Sequence, residues 1–460
     1  MSQSIRLNRH IVLITCLIHL TSMSALSQES GTAPSENIQN LTLQLEHTIA
    51  TLDSQSAAFT ADQEALEDQI RALREELELI RLQAPEDSPS LSRTDNRAAL
   101  PNIFNPTVSV FGNFLLRQDD EQLMNEDGDI ISDRMNLRET EIDFRAAVDP
   151  YADGLLITAF ESEVPGEFET VVEEGYVTIK RLPLPVFDNP PLGLKLKVGR
   201  FRTSFGRFNR LHLHDLPQMS YPRSLQTFLG EEGHLGSGAS ARMFLPFFDP
   251  ESALELTIEA LATGGTAVVE NGTNDFSWLG NLSWFRQFGD NHSFDMSHIV
   301  HYAKADEAGD LRAWTYSLDV LYKWQPLSRG QYRSFLLGGQ LFRANREFHA
   351  VGPDDGLTRA TVNPFGFFGF FQTQISRLTY LGVRYDQTDD VDFDNPGASF
   401  AKRRSILPYL SWYPSEFLRF RCGYEWRKST GHGQRAGNSL LAELNFIFGA
   451  HPPEPFWVNR

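Results

Sequence analysis

The chain is 460 residues long, with a formal charge of -19, 22% charged residues, and 34 Phe, 12 Tyr and 7 Trp. An acidic excess of this size excludes a nucleic-acid partner, which needs a basic surface. No apolar run reaches the ~20 residues of a membrane-spanning helix, and two cysteines, Cys16 and Cys422, exclude a disulfide framework.

Arg6, Arg9 and His10 precede a short apolar core, Ile11 to Leu20, and then the small-residue stretch Ala25-Leu26-Ser27. That order predicts a signal peptide over 1–27, cleaved before Gln28, and therefore an exported protein. Next, Ile38, Leu45, Leu52, Phe59, Leu66, Leu73 and Ile80 fall at every seventh position, so 38–83 is predicted to be an α-helical coiled coil. Its companion positions include Thr42, Ser56 and Gln63, polar residues that set register at some cost in stability. Pro, Ser and Asp then accumulate over 84–106, which reads as a linker.

From residue 107 the period becomes 2. Trp314, Tyr316, Leu318, Val320, Tyr322 and Trp324 alternate with Thr315, Ser317, Asp319 and Lys323; Ile142, Phe144 and Ala146 alternate with Glu141, Asp143 and Arg145. Trp314 and Trp324 bracket a ten-residue span, the reach of one tilted membrane strand, and match the aromatic girdles of membrane barrels. A charged face in lipid costs a few kcal/mol per residue near the midplane, so that face must line a wet lumen. Short turns near 149–154, 183–192, 248–251, 289–291, 326–330, 376–377 and 413–416 separate longer polar loops. The loops lie near 118–133, 163–168, 203–234, 264–275, 304–310, 347–363, 387–401 and 428–437, and together these connections imply sixteen strands. The predicted fold is therefore all-β: a 16-stranded antiparallel transmembrane β-barrel over 107–460, preceded by a periplasmic coiled coil.

Three stretches carry a family likeness: Lys195-Leu-Lys-Val-Gly-Arg-Phe-Arg-Thr-Ser-Phe-Gly206, Tyr380-Leu-Gly-Val-Arg-Tyr-Asp386, and the closing strand Leu440 to Gly449. With them the chain resembles Gram-negative outer-membrane porins, and more narrowly the phosphate-selective porin family. The resemblance implies a homotrimer in the outer membrane, anion conduction along an arginine ladder, and a third long loop folded into the barrel. The eleven residues after Gly449 depart from barrels that end on Phe, and leave Phe448 and Phe456 as alternative assembly signals.

The third loop, 203–234, carries Arg207, Arg210, His212, His214, Asp215, Arg223, Glu231 and His234, which become the expected pore constriction. Its histidines would titrate near neutrality and make conductance sensitive to pH. The expected lumen lining is of mixed charge: Lys195, Lys197, Arg242, Arg384, Arg419, Arg421 and Arg427 against Glu255 and Glu259, with Glu139, Glu141, Asp143, Asp319, Glu425 and Glu443 also inward. Opposed charges across a pore favour small polar solutes. An alternative use of the loop is metal binding by His212, His214 and Asp215, with Glu231, Glu232 or His234 as a further ligand. A hydrolase would need Ser204, Ser220 or Ser224 beside His214, and no G-x-S-x-G elbow accompanies them, so no enzyme and no cofactor is expected.

Two function classes follow. One is a passive diffusion channel for small hydrophilic solutes, phosphate-like anions included. The other is a structural protein whose coiled coil tethers the envelope through peptidoglycan, with the barrel mainly an anchor. In either, the expected surroundings are outer-membrane lipid and lipopolysaccharide, with the acidic stretch Asp386 to Asp394 as an outside loop.

Overall fold

A computed structural model of the chain describes residues 106–123, 130–162, 166–184, 187–246, 249–263, 275–306, 309–326, 333–351, 357–390, 401–430, 436–450 and 455–459. The signal peptide and coiled coil lie outside the described residues. The first strands are β1 (Thr107–Asp119), β2 (Met135–Asp149), β3 (Ala152–Glu161), β4 (Glu169–Ile179), β5 (Lys195–Arg202) and β6 (Leu235–Leu245). Then come β7 (Ser252–Thr263), β8 (Ser277–Phe288), β9 (His292–Lys304), β10 (Arg312–Trp324), β11 (Phe335–Val351) and β12 (Leu357–Val362). The last are β13 (Phe365–Ser376), β14 (Thr379–Asp390), β15 (Ala401–Trp412), β16 (Leu418–Ser429) and β17 (Gly437–Gly449).

Apart from β12 and β13, each strand pairs antiparallel with its sequence neighbours, and β1 pairs with both β2 and β17, which closes the ring. β11 pairs with β13 along its first half and with β12 along its last, so β12 and β13 form one stave interrupted at Asn363-Pro364. Proline has no N–H to give a ladder, which explains the break. The barrel therefore has sixteen staves. The hairpin of β11 and β12 takes up most of the connection that the sequence reads as a loop over 347–363. No helix among the described residues is long and apolar enough to cross a membrane.

β10 displays the order of the faces. Thr315, Ser317 and Asp319 point inward and are buried, whereas Tyr316 on the other face is exposed. Trp314 packs on Tyr302 at 4.6 Å and Trp324 on Phe335 at 5.4 Å, so both ends of the strand carry aromatic pairs. Leu156, Val198, Ile258, Trp278, Leu341, Phe371, Ile406 and Phe420 continue the exposed apolar surface around the ring. A soluble barrel would bury these side chains; here the polar face is the inner one.

Along one side the lumen departs from the wet, charged interior expected from the sequence. Leu279, Ile299, Leu336, Phe342, Phe368 and Phe370 point inward and are packed against a loop rather than water. β13 carries Phe on both faces, so its inner face gains from burial, roughly 1.5–3 kcal/mol for each fully covered side chain. That inner apolar wall holds the functional loop.

Candidate functional site

The loop between β5 and β6 spans 203–234, and crosses the barrel interior. Ser204 starts it by donating N–H and Oγ–H to Glu259 of β7, while Asn281 of β8 donates to the Ser204 carbonyl at 2.7 Å. Gly206 takes φ +100, and a β-carbon there would collide with the side-chain amide of Gln340. Phe205, Phe208, Leu225 and Phe228 then fill the space against β11 and β13; Phe228 stacks on Phe342 at 5.4 Å and Phe208 meets Phe368 at 4.9 Å. Helix α1 (Arg223–Leu229) begins after Pro222 and ends at Gly230, with Leu225, Phe228 and Leu229 as its buried side.

Strands β2, β14 and β16 hold the loop by its carbonyls. Arg419 donates to the His214 carbonyl, and Arg421 to those of Leu216 and Gln218. Arg138 donates to the Met219 carbonyl at 2.9 Å and Arg384 to that of Ser220 at 2.5 Å. Four guanidiniums from β2, β14 and β16 thus satisfy successive backbone acceptors that water would otherwise serve. Three of the four also meet carboxylates: Arg421 pairs with Glu443, Arg138 with Glu443 at 2.9 Å, and Arg384 with Asp386 at 2.7 Å, while Arg419 donates to the Tyr413 hydroxyl at 3.2 Å. Arg384, Arg419 and Arg421 do face the lumen, as expected of lining residues, but they are buried in loop contacts and not presented to solute.

The segment Pro455–Asn459 also enters the barrel. Trp457 is 1% exposed, donates its ring N–H to the Asp215 carbonyl at 2.7 Å, and sits near Tyr380 and Tyr413. Asn459 bonds Gln374 and Tyr380. Phe456 lies beneath the Arg207 guanidinium at 5.1 Å. Sequence reading weighed Phe456 only as an assembly signal and had no pattern that would fold this segment inward.

Elsewhere the expected constriction residues divide. Arg207 lies 3.2 Å from Asp295, and its N–H meets Asp319 at 2.5 Å; Arg223 reaches Glu425 at 3.2 Å. Arg210 and Glu231 are exposed. His234 is buried against the Thr203 hydroxyl at 2.9 Å and His301, away from the other two histidines' partners. Among the lining residues, Lys195 is exposed, Lys197 lies over the Tyr176 ring at 4.4 Å, and Arg242 pairs with Glu255. Arg427 bridges Asp119 at 3.3 Å and Glu425 at 3.7 Å.

His212 and His214 face a wall of carboxylates from β2, β3 and β4. Two β-bulges build that wall. Ile157 pairs with Glu174 and Thr158 with Val172, which leaves Glu173 as an extra residue and turns both Glu173 and Glu174 inward. Asn113 pairs with Glu139 and Phe114 with Leu137, which does the same for Arg138 and Glu139. His212 Nε2 is 2.9 Å from Glu174, and its Nδ1 is 2.7 Å from Glu173 and 3.4 Å from Glu141. His214 Nδ1 is 3.1 Å from the same Glu141 oxygen, and Phe111 stacks on its ring at 4.0 Å. Asp215, the third ligand of the metal reading, lies 3.6 Å from His214 on the side away from Glu141. The carboxylates within reach of the histidine pair come instead from strands 38 and 73 residues away.

The cluster is under-satisfied. Glu139 Oε2, Glu141 Oε2, Glu173 Oε1 and His212 Nδ1 are buried with no hydrogen-bond partner, at 4%, 1%, 0% and 7% exposure. Each such atom costs ~1–3 kcal/mol, more when charged. Burial by itself lowers the His212 pKa, but the Glu141 and Glu173 carboxylates reverse that and hold it well above the ordinary histidine value. Burial and Glu173 push the nearby Glu232 carboxyl up to about 7.

No family model matches the chain. An uncharacterized protein of Aquifex aeolicus is 24% identical over 354 residues, covering 70% of each chain. Similar solved structures include the outer membrane channel DcaP of Acinetobacter baumannii, 13% identical over 75% of this chain and 97% of that one, with a TM-score of 0.49. OmpF of Salmonella typhi, in complex with daunomycin, is 12% identical over 75% and 99%, with a TM-score of 0.47. OprD of Pseudomonas aeruginosa is 10% identical over 75% and 95%, at 0.40.

Proposed function

We propose that the chain is an outer-membrane β-barrel forming a narrow passage for small hydrophilic solutes, with loop 203–234 as its constriction. The observation that carries this reading is the closed ring with apolar residues outside and polar, charged residues inside, an order that only a lipid surround makes favourable. The export signal over 1–27 and the aromatic pairs at both ends of β10 support the same location.

The anion preference implied by the resemblance finds less support than a preference for cations. Arg384, Arg419 and Arg421 are occupied by loop carbonyls and, respectively, by Asp386, the Tyr413 hydroxyl and Glu443. Beside His212 stand Glu139, Glu141, Glu161, Glu173, Glu174 and Glu232, with Arg202 as the guanidinium paired to Glu173. These carboxylates outnumber the one guanidinium, and the field of such a cluster concentrates cations and repels phosphate even though Glu139, Glu141, Glu173 and Glu174 are themselves buried. Trimerisation, attachment to peptidoglycan through the 38–83 coiled coil, and contact of the outer loops with lipopolysaccharide complete the proposal; Asp386, expected in an outside loop, has no part in that contact, because it lies within β14, buried and paired with Arg384.

A second reading, the barrel as an anchor for an envelope tether, is favoured by one observation: loop 203–234 and Trp457 pack together into one core that fills the interior. Bilayer recordings of the purified full-length protein separate the two. The channel reading expects discrete conductance steps and a reversal potential of cation-selective sign under a KCl gradient; the anchor reading expects silent bilayers.

A further inference from the structure

We propose that His212, His214, Glu139, Glu141 and Glu173 form a site for divalent first-row transition-metal ions inside the barrel. The proposal goes beyond the channel reading and rests on side-chain geometry alone.

The donors fall into two lobes, Glu139 with Glu141 and His214, and Glu141 with Glu173 and His212; within each lobe the ligand atoms lie within 4.8 Å of one another. Glu141 belongs to both, with one oxygen between the two imidazoles and the other unpartnered. A carboxylate in that position bridges two ions as readily as it serves one. Two imidazoles with carboxylates suit zinc, manganese, iron, cobalt or nickel, whereas calcium and magnesium prefer all-oxygen sites.

Independent of the clustering, the buried atoms point to a ligand. Glu139 Oε2, Glu141 Oε2 and Glu173 Oε1 are buried without a hydrogen-bond partner, and His212 Nδ1 sits between two of these residues, 2.7 Å from Glu173 Oε2 and 3.4 Å from Glu141 Oε1. The other nitrogen is committed: Nε2 bonds Glu174 at 2.9 Å, which fixes the ring and presents Nδ1 to Glu173 and Glu141. This carboxylate–histidine pairing is the usual outer support of a metal-bound imidazole, and Asp215 stands in the same relation to His214 at 3.6 Å. Arg202 takes Glu173 Oε2 at 2.7 Å and leaves Oε1 unpartnered. A metal ion supplies positive charge among these carboxylates. Because the histidines come from the loop and the glutamates from β2 and β4, bound metal also ties the constriction to the wall.

The test is titration of the folded, chelator-treated full-length protein in detergent with Co²⁺, then Zn²⁺. The expected result is a Co²⁺ ligand-field spectrum of mixed nitrogen and oxygen coordination, displaced by Zn²⁺ and untouched by Ca²⁺. Glu141→Gln abolishes it, Glu174→Gln weakens affinity about 10–100-fold, and Glu251→Gln in a turn far from the site changes nothing. A folded wild-type barrel that shows only hydrated Co²⁺ overturns the proposal. So does metal uptake that Glu174→Gln leaves unchanged, a readout that holds even if Glu141→Gln fails to fold. Silent bilayers do not bear on it, and absent metal does not bear on conduction.

Discussion

Replacing Arg421 by Met should release the loop from the wall without unfolding the barrel. The guanidinium is 2% exposed and donates to the Leu216 and Gln218 carbonyls while pairing with Glu443. Methionine keeps the apolar stem and removes every donor. Glu443 retains Arg138 at 2.9 Å, so the largest loss falls on the loop, where two buried carbonyls go unserved. Breaking a buried, hydrogen-bonded charge pair costs about 3–5 kcal/mol. If docking bears that cost, the open fraction of the loop rises about two to three and a half powers of ten, at 1.4 kcal/mol per decade. The assay is thiol labelling at Met219→Cys, a position 1% exposed, in a Cys422→Ser background, since Cys422 is exposed. An impermeant maleimide should label the Arg421→Met protein at least a hundred times faster, with the barrel still resistant to denaturation in detergent. Equal labelling rates in two intact barrels would refute the clamp.

Other outcomes follow from the same contacts. Trp457→Ala should undock Pro455–Asn459, at a cost of about 3–5 kcal/mol for a buried aromatic, and is read as faster proteolysis of that segment and larger conductance steps. Gly206→Ala forces a side chain onto Gln340 at positive φ and should cost about 1–3 kcal/mol, read as a lower midpoint of heat denaturation in detergent. Leu318→Arg, on the lipid face of β10, should cost about 2–4 kcal/mol of insertion free energy and lower the folded yield in vesicles. Ser317→Arg, one residue away and inward, should insert normally and act instead on loop packing near Phe205.

Strand number and the bounds of the third loop were legible because lipid enforces alternation at every position of a membrane strand. Trp314 to Trp324 obey it with one exception, the inward Leu321, which joins the apolar wall under the loop. What alternation cannot display is a register shift. Glu173 and Glu174 are adjacent, and strict alternation sends one of them into lipid; that conflict was the signal for a bulge, as was Arg138 beside Glu139. Without the bulges the partners of His212 stayed hidden, and the nearest acid in sequence, Asp215, stood in for Glu141 and Glu173. The inward phenylalanines of β13 were illegible for the opposite reason: with Phe on both faces, periodicity does not say which one a loop will cover. The pairing of lumen arginines with loop carbonyls involves backbone acceptors, which no side-chain pattern records.

The most direct test of the central claim is the reversal potential of single barrels in planar bilayers under a KCl gradient, compared between wild type and Arg421→Met. A loop that constricts a passage in the field of the buried carboxylates Glu139, Glu141, Glu173 and Glu174 predicts small, cation-selective steps that grow, and lose selectivity, when the clamp is cut. Bilayers that stay silent for both proteins would contradict it and leave the barrel as an anchor.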